Sequence, residues 1–334
     1  MSRVTSLTNM PEEQLNRWIK RIGLLFLVLL IAFVAFYAVD RFRPATPSIA
    51  DRQLASAEQA VRDKPGDIAA RGALADIYVS RQRYDEAISQ YTQILATGKG
   101  VELAHFGRGA AYVALKRYDE AIADYKAVVD IASKGEMAAF DTTLESAYYA
   151  LGQIAMAQNN PAEAITQLNL ALQIKRSDGD ALYLIGTAYT ATGKFDDAEH
   201  ALRSAISFVP VGWADPYTAM ADLYTKAGKP AMAEWATAMA AGATGTGDTQ
   251  AAIDRLTTIA DDPAAGFDAK IGLGLMYELR KDAAQATAWY QKALAQKPDS
   301  SEARLGLGRV SSGPGGGSAL PSLPAPAPAS QGTN

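Results

Sequence analysis

The chain has 334 residues, no Cys, two His and a formal net charge of −4. Without thiols there is no disulfide framework, zinc ribbon, iron–sulfur cluster or cysteine nucleophile. A summed charge of −4 argues against a nucleic-acid binder, which usually carries a basic face.

The charge is unevenly placed. Residues 1–50 carry six basic side chains (Arg3, Arg17, Lys20, Arg21, Arg41, Arg43) against three acids, a net of +3. Residues 51–310 hold 26 basic and 33 acidic groups, a net of −7, and residues 311–334 carry no charge.

Residues 1–21 form a basic segment, and Ile22 to Val39 is an apolar run of 18 residues without a charge. As a helix it covers roughly 27 Å, close to the ~30 Å hydrocarbon core of a bilayer. Trp18 and Tyr37 stand near its ends, where amphipathic rings favour the headgroup zone. A cleaved signal peptide is the competing reading. Its apolar core is usually about 7–15 residues and ends at a small-x-small site, whereas this run ends in Asp40-Arg41-Phe42-Arg43-Pro44. A retained single-pass transmembrane helix at 22–39, followed by a linker at 40–50, is therefore expected. Four basic residues precede the span and three follow it (Arg41, Arg43, Arg52), which favours a cytoplasmic N-terminus and an extracytoplasmic body by one charge.

The body repeats itself. Tyr84-Asp85-Glu86-Ala87-Ile88 recurs as Tyr118-Asp119-Glu120-Ala121-Ile122, and Phe195-Asp196-Asp197-Ala198 is a third copy. The marker alanines are Ala87, Ala121, Ala164, Ala198, Ala233 and Ala286. Each is preceded by a small residue: Ala75, Gly109, Gly152, Gly186, Ala221 and Gly274. Three residues beyond these stand Tyr78, Tyr112, Ala155, Tyr189, Tyr224 and Tyr277. Beyond the markers come Tyr91, Tyr125, Leu168, Leu202, Thr237 and Tyr290. The small residues would let paired helices approach, with the large ones filling the space they leave.

This pattern closely resembles the tetratricopeptide repeat family, a 34-residue helix–turn–helix. The resemblance covers residues 68–101, 102–135, 145–178, 179–212, 214–247 and 267–300. It implies an all-α fold, a right-handed superhelical solenoid of about six repeats plus capping helices, preceded by the transmembrane helix. Each pair cannot bury its apolar face alone, so stacking builds one quasi-linear core. Gly193-Lys194, Gly228-Lys229-Pro230 and Asn159-Asn160-Pro161 read as turns between paired helices, and Pro65, Pro210 and Pro298 as stops.

Two insertions break the period. Nine extra residues lie around Lys134–Thr142, and 19 at 248–266. The second insertion and residues 51–66 each read as a lone second-type helix. The expected division is an array at 51–247 (a cap and five repeats) and a C-terminal module at 248–310 with its own capping helices. Gly242-Ala243-Thr244-Gly245-Thr246-Gly247 reads as a flexible joint between them. Residues 311–334, rich in Pro, Gly, Ala and Ser, read as a disordered tail.

No catalytic constellation emerges, so the chain is read as a non-enzyme with no cofactor and no metal. His105 occupies a position where the family packs a bulky side chain, and His200 reads as exposed. Asp196-Asp197 and Asp261-Asp262 suit helix ends rather than a metal.

Tetratricopeptide arrays bind protein partners through a concave face lined by first helices. By that resemblance the groove holds Phe106, Val113, Tyr149, Met156 and Tyr183, flanked by Asp76, Gln153, Asp180, Asp215, Asp222, Asp268 and Glu278. The family's carboxylate clamp of Lys and Asn is missing; Gly72, Asp76, Gly107, Ser146 and Ala150 stand in its place. An extended or helical segment with apolar anchors and basic flanks is the expected ligand. The resulting expectation is a membrane-anchored scaffold or adaptor in assembly, export or recruitment of a membrane-associated complex. The alternative is a non-catalytic accessory subunit of an envelope enzyme or translocon. Homo- or hetero-oligomers are both compatible with the sequence.

Overall fold

In the computed structural model, residues 12–42, 48–208, 210–242 and 248–311 are described. The expectations for residues 1–11, 43–47, 243–247 and 312–334 lie outside them. The chain divides into two units at Pro65 and Gly66.

Among its described residues the first unit holds two helices. Helix α1 (Glu12–Phe42) is 31 residues long and starts well before the apolar run, because Glu12 and Glu13 suit a helix N-terminus and Arg17 donates back to the Glu13 carbonyl. Its segment Leu15–Tyr37, mean hydropathy 2.5, is long and apolar enough to cross a membrane, and none of it is buried. Helix α2 (Ile49–Asp63) begins at a reciprocal cap: Ser48 Oγ accepts from the Asp51 N–H while the Asp51 carboxylate accepts from the Ser48 N–H. No residue of α2 is buried.

The second unit is a stack of antiparallel helix pairs. They are α3 (Ile68–Ser80) with α4 (Tyr84–Leu95), α5 (Val101–Ala114) with α6 (Tyr118–Ala132), α7 (Thr142–Ala157) with α8 (Pro161–Ile174), α9 (Gly179–Ala191) with α10 (Phe195–Phe208), and α11 (Asp215–Lys226) with α12 (Pro230–Gly242). Helix α13 (Thr249–Thr258) stands alone before the sixth pair, α14 (Gly266–Leu279) with α15 (Ala283–Gln296), and α16 (Ser301–Ser311) ends the stack. Among the described residues there is no strand. Asp67, Asp141, Asn160, Asp178, Asp248 and Asp282 each cap a helix by accepting from a backbone N–H.

The 16-residue spacing of small and large residues is a contact between paired helices. A Cβ on Gly109 would lie 3.2 Å from the Tyr125 ring, one on Gly152 2.7 Å from Leu168, one on Gly186 2.6 Å from Leu202, and one on Gly274 2.4 Å from Tyr290. The same large residue reaches the following helix. Tyr91 lies against Gly107 and Tyr290 against Gly306, where a Cβ would again come within 2.4 Å of the ring. The tyrosine is thus clamped between two helices, and α16 supplies the clamp that a seventh repeat would otherwise provide.

The turns repeat too. Gln82, Lys116, Asn159, Gly193, Gly228 and Lys281 occupy the same place in six turns, and all have φ between 56° and 74°. Glycine takes this conformation without strain, but it fills only two of the six. The next residue is basic in four turns and lies over the tyrosine of the first helix: Arg83 over Tyr78 and Arg117 over Tyr112 at 4.6 Å, Lys194 over Tyr189 at 5.7 Å, Lys229 over Tyr224 at 5.8 Å. That stacking gives the recurring tyrosine spacing a second purpose, a cation–π lock on the turn.

First helices touch in the row α3, α5, α7, α9, α11. The row stops there. Helix α13 packs between α12 and α14, and α14 lies against α12. Gly242 itself is buried, with a Cβ there meeting Met276 Sδ and Ala252 at 2.3 and 2.7 Å. One apolar cluster runs across this point, from Ala198 and Leu202 through Trp235 and Met239 to Leu273 and Met276.

Candidate partner-binding groove

The row of first helices brings the sequence-selected residues to one series of positions but divides them into subsites. In the first, Phe106 is half-buried, edge-on to Tyr125 with ring centroids 5.6 Å apart, and Val113 packs on the same cluster around Val128 and Ile154. In the second, Gln153 is exposed and donates from its amide to the Tyr149 hydroxyl at 3.0 Å. Tyr149 and Met156 cover the cluster of Leu168 and Ile185. Burial raises the Tyr149 phenol above its ordinary value, and the nearby Asp180 and Asp178 carboxylates push the same way. In the third, Tyr183 meets Trp213 edge-on at 5.6 Å; burial and then the Asp215 charge raise its phenol.

Asp180, Asp215 and Asp222 are all exposed. Asp222 pairs with Lys226 on its own helix at 2.7 Å, so its charge is partly answered. Asp180 and Asp215 bear instead on the Tyr149 and Tyr183 phenols, giving the middle of the row a negative rim around half-exposed rings. Asp76 accepts from the Tyr91 hydroxyl at 2.6 Å and is tied to the helix pair.

Two sequence readings need revision. Asp268 and Glu278 do not flank the row of first helices. Asp268 accepts both Arg203 guanidinium nitrogens, at 2.9 and 3.2 Å, and Glu278 accepts two bonds from Arg309, at 2.8 and 3.0 Å. The inserted α13 has displaced the sixth pair from the row. His105 is more than a packing residue: its Nδ1 lies 2.7 Å from Asp124, which also receives a bidentate pair from Arg108 at 2.8 Å. Asp124 is only 3% exposed, so both partners on α5 hold a buried carboxylate of α6. His200 is exposed, as read. Asp262 shapes the turn before α14, accepting from the Ala264 and Ala265 N–H groups, while α14 itself has no side-chain cap.

One exposed apolar side chain on the row of first helices escaped the sequence reading. Leu103 holds the second position of repeat two and is 70% exposed, an uncovered apolar side chain at the start of α5. The same offset that selected Asp180 and Asp215 would have found it. Met137 and Phe140, at 67% and 74% exposure, stand in the nine-residue insertion around a short 3₁₀ turn, Ala138–Phe140.

Tetratricopeptide repeat models match residues 54–102, 73–136, 155–223 and 237–301, together well over half of the chain. The chain belongs to the tetratricopeptide repeat family. Its fold is that family's solenoid, and the family's repeats mediate protein–protein interaction. Similar solved structures include the C-terminal part of a tetratricopeptide repeat protein from Cytophaga hutchinsonii, at 17% identity and TM-score 0.47, covering 76% of this chain and 93% of that one. A tetratricopeptide repeat protein from Parabacteroides merdae aligns at 17% identity and TM-score 0.44, over 77% and 91% of the two chains. BtubC from P. vanneervenii aligns at 16% identity and TM-score 0.49, over 58% and 90%. No curated protein sequence matches at a significant level.

Proposed function

We propose that this tetratricopeptide repeat protein is a membrane-anchored scaffold that holds a protein partner against the first helices α5, α7, α9 and α11. The observation that carries this is the series of half-exposed rings, Phe106, Tyr149 and Tyr183, at one position of three successive repeats. Aromatic side chains on a rigid helix row are where binding energy concentrates, since they lose little freedom on contact. The Asp180 and Asp215 rim favours a segment with apolar anchors and basic flanks, whose association weakens as salt rises. The apolar helix α1 is the anchor, and the one-charge bias in its flanks favours a cytoplasmic N-terminus with the repeats on the opposite side. The role that follows is assembly, export or recruitment within a membrane-associated complex, without chemistry of its own.

Phe106 and Tyr183 also brace the core, so replacing them confounds binding with folding. Leu103 and Gln153 do not. A photo-crosslinkable residue at Gln153 in native membranes should capture a partner, and Leu103→Asp with Asp180→Lys should reduce that capture at least five-fold while leaving the urea midpoint unchanged. Unaltered capture would place the partner elsewhere. Protease added to intact cells and to spheroplasts tests the topology: repeats protected in both would reverse the orientation.

A further inference from the structure

The row of first helices changes charge along its length. Helices α3 and α5 each carry one acid and one Arg, Asp76 with Arg71 and Glu102 with Arg108. Helices α7, α9 and α11 carry four acids, Glu145, Asp180, Asp215 and Asp222, against one base, Lys226. Lys226 pairs with Asp222. Among the described residues the other three acids form no ion pair.

Each of the three stands by an aromatic ring that is only half buried. Asp180 and Asp178 bear on the Tyr149 phenol, and Glu145 acts on it from one turn away along α7. Asp178 is already held by Lys175 and by the Ala181 N–H; Asp180 is exposed. Asp215 bears on Tyr183, whose ring meets Trp213 edge-on at 5.6 Å. Glu145 is the most demanding of the three. It is 6% exposed, and its polar contact is a 3.4 Å bond from the hydroxyl of its neighbour Ser146, longer than an ordinary O–H···O bond. Burial and then the Asp178 charge raise its carboxyl. A carboxylate buried without a cation destabilises the free protein, and an incoming cation offsets that cost.

A guanidinium meets both requirements at once, since its flat face stacks on an aromatic ring while its edge donates to a carboxylate. Tyr149 and Tyr183 hold the same position of adjacent repeats, on first helices that touch. Packed helices lie about 8–10 Å apart. An extended segment covers that distance in three residues at about 3.3 Å each. The α5 end, with Leu103 exposed and Phe106 half-buried, suits apolar side chains.

Building on the first-helix docking surface proposed above, we infer that its partner is an extended segment with two arginines three residues apart. One lies on Tyr149 beside Glu145 and Asp180, the other on Tyr183 and Trp213 beside Asp215, and apolar side chains of the segment lie toward α5.

The probes are fluorescein-labelled peptides with Leu and Phe at one end and Arg-Ala-Ala-Arg at the other, made in both chain orders and titrated with full-length protein in nanodiscs. The tighter peptide should lose affinity about ten-fold or more when both arginines become citrulline, which keeps the shape but not the charge. Placing the two arginines next to each other should weaken it as well. Asp180→Asn with Asp215→Asn should weaken the arginine peptide by a similar factor and leave the citrulline peptide unchanged. Both carboxylates are exposed and unpaired, so the urea midpoint should hold. Glu145→Gln should weaken the arginine peptide while raising the urea midpoint, a combination that a purely structural carboxylate would not give. Equal affinity for the arginine and citrulline peptides, or no binding of either, overturns the arginine sites; indifference to the spacing overturns their placement on successive repeats. If partner capture at Gln153 persists beside such a result, the groove stands and only the arginine sites fall. Loss of both removes the groove as well.

Discussion

In the middle of the stack the apolar core comes in parcels. One joins α6 to α7 through Tyr125, Val128 and Ile154, and the next joins α7 and α8 to α9 through Leu168 and Ile185. Beyond Ala198 the parcels merge: a single cluster continues through α11, α12 and α13 to Met276 on α14. The merged region also has a polar tie of long sequence range, with Arg203 between Glu199 and Asp268, over the Trp235 ring at 5.3 Å, and with the Trp235 indole N–H donating to the Asp268 carbonyl at 3.0 Å. Regular repeats need only nearest-neighbour contacts to stack. An inserted helix breaks that rule, and here residues 65 apart in sequence are joined to restore it.

The strongest test of this contrast is Trp235→Ala. Losing a buried indole that touches Tyr217, Tyr224 and Arg203 should destabilise by about 4 kcal/mol. Hydrogen exchange should rise across α11 to α14 together. Leu168→Ala, of comparable burial, should raise exchange only in α7 to α9. Exchange confined to α12 in the tryptophan variant would show that the large cluster is not one cooperative unit.

Gly186→Ala probes the regular side. Its Cβ would sit 2.6 Å from Leu202 Cγ and 2.9 Å from Cδ2, and Leu202 is fully buried with nowhere to move. Overpacking of this kind destabilises by roughly 2 kcal/mol. The double variant Gly186→Ala with Leu202→Ala should recover less than it loses, because the cavity then left at Leu202 replaces the clash. A urea midpoint unchanged by Gly186→Ala would mean that the small–large pairing does not set the helix spacing.

Arg203→Met should destabilise by about 2 kcal/mol, less than a fully buried pair because part of the guanidinium reaches solvent. This variant also has a pH signature. Burial alone would raise the Glu199 carboxyl, but hydrogen bonds and charge from Arg203, with help from Tyr224 and Lys229, outweigh it and hold the group below its ordinary value. A depressed carboxyl contributes stability above the unfolded-state value near pH 4.3, and that contribution fades as pH falls through the folded value. Urea midpoints should therefore drop on acidification below about pH 4.5, and drop less in Arg203→Met. Parallel acid curves for the two proteins would remove Glu199 from the tie.

How much of this could be read from the chain follows the same division. The Gly152–Leu168 and Gly186–Leu202 contacts are nearest-neighbour pairs at fixed spacing, so periodicity alone exposed them. The lone helix at 248–266 was legible as an insertion, but its consequence was not. Position-by-position transfer from regular repeats put Asp268 and Glu278 on the groove, and only the displacement of α14 toward α12 shows Arg203 and Arg309 holding them. His105 failed for a related reason, since its partner Asp124 lies on the opposite helix and no local motif links the two. Leu103 was a different kind of miss, for its offset was available and its exposure was not.

The smallest expected effect compares the two regions most cleanly. Lys116 in repeat two and Lys281 in repeat six hold the same turn position at φ 57° and 60°, and both side chains are exposed. An L-residue there is strained by its own Cβ, independently of what core the flanking helices bury. Replacing either with glycine relieves that strain but frees the unfolded chain, leaving a net gain of about 0.5–1 kcal/mol. Lys116→Gly and Lys281→Gly should therefore raise the urea midpoint equally, although one turn belongs to a parcelled core and the other lies beside the merged one. Arg117 would still stack on Tyr112, whereas the turn of repeat six has Asp282 in that place. A gain at Lys281 well above that at Lys116 would mean that the missing cation–π lock, rather than backbone strain, limits the sixth turn.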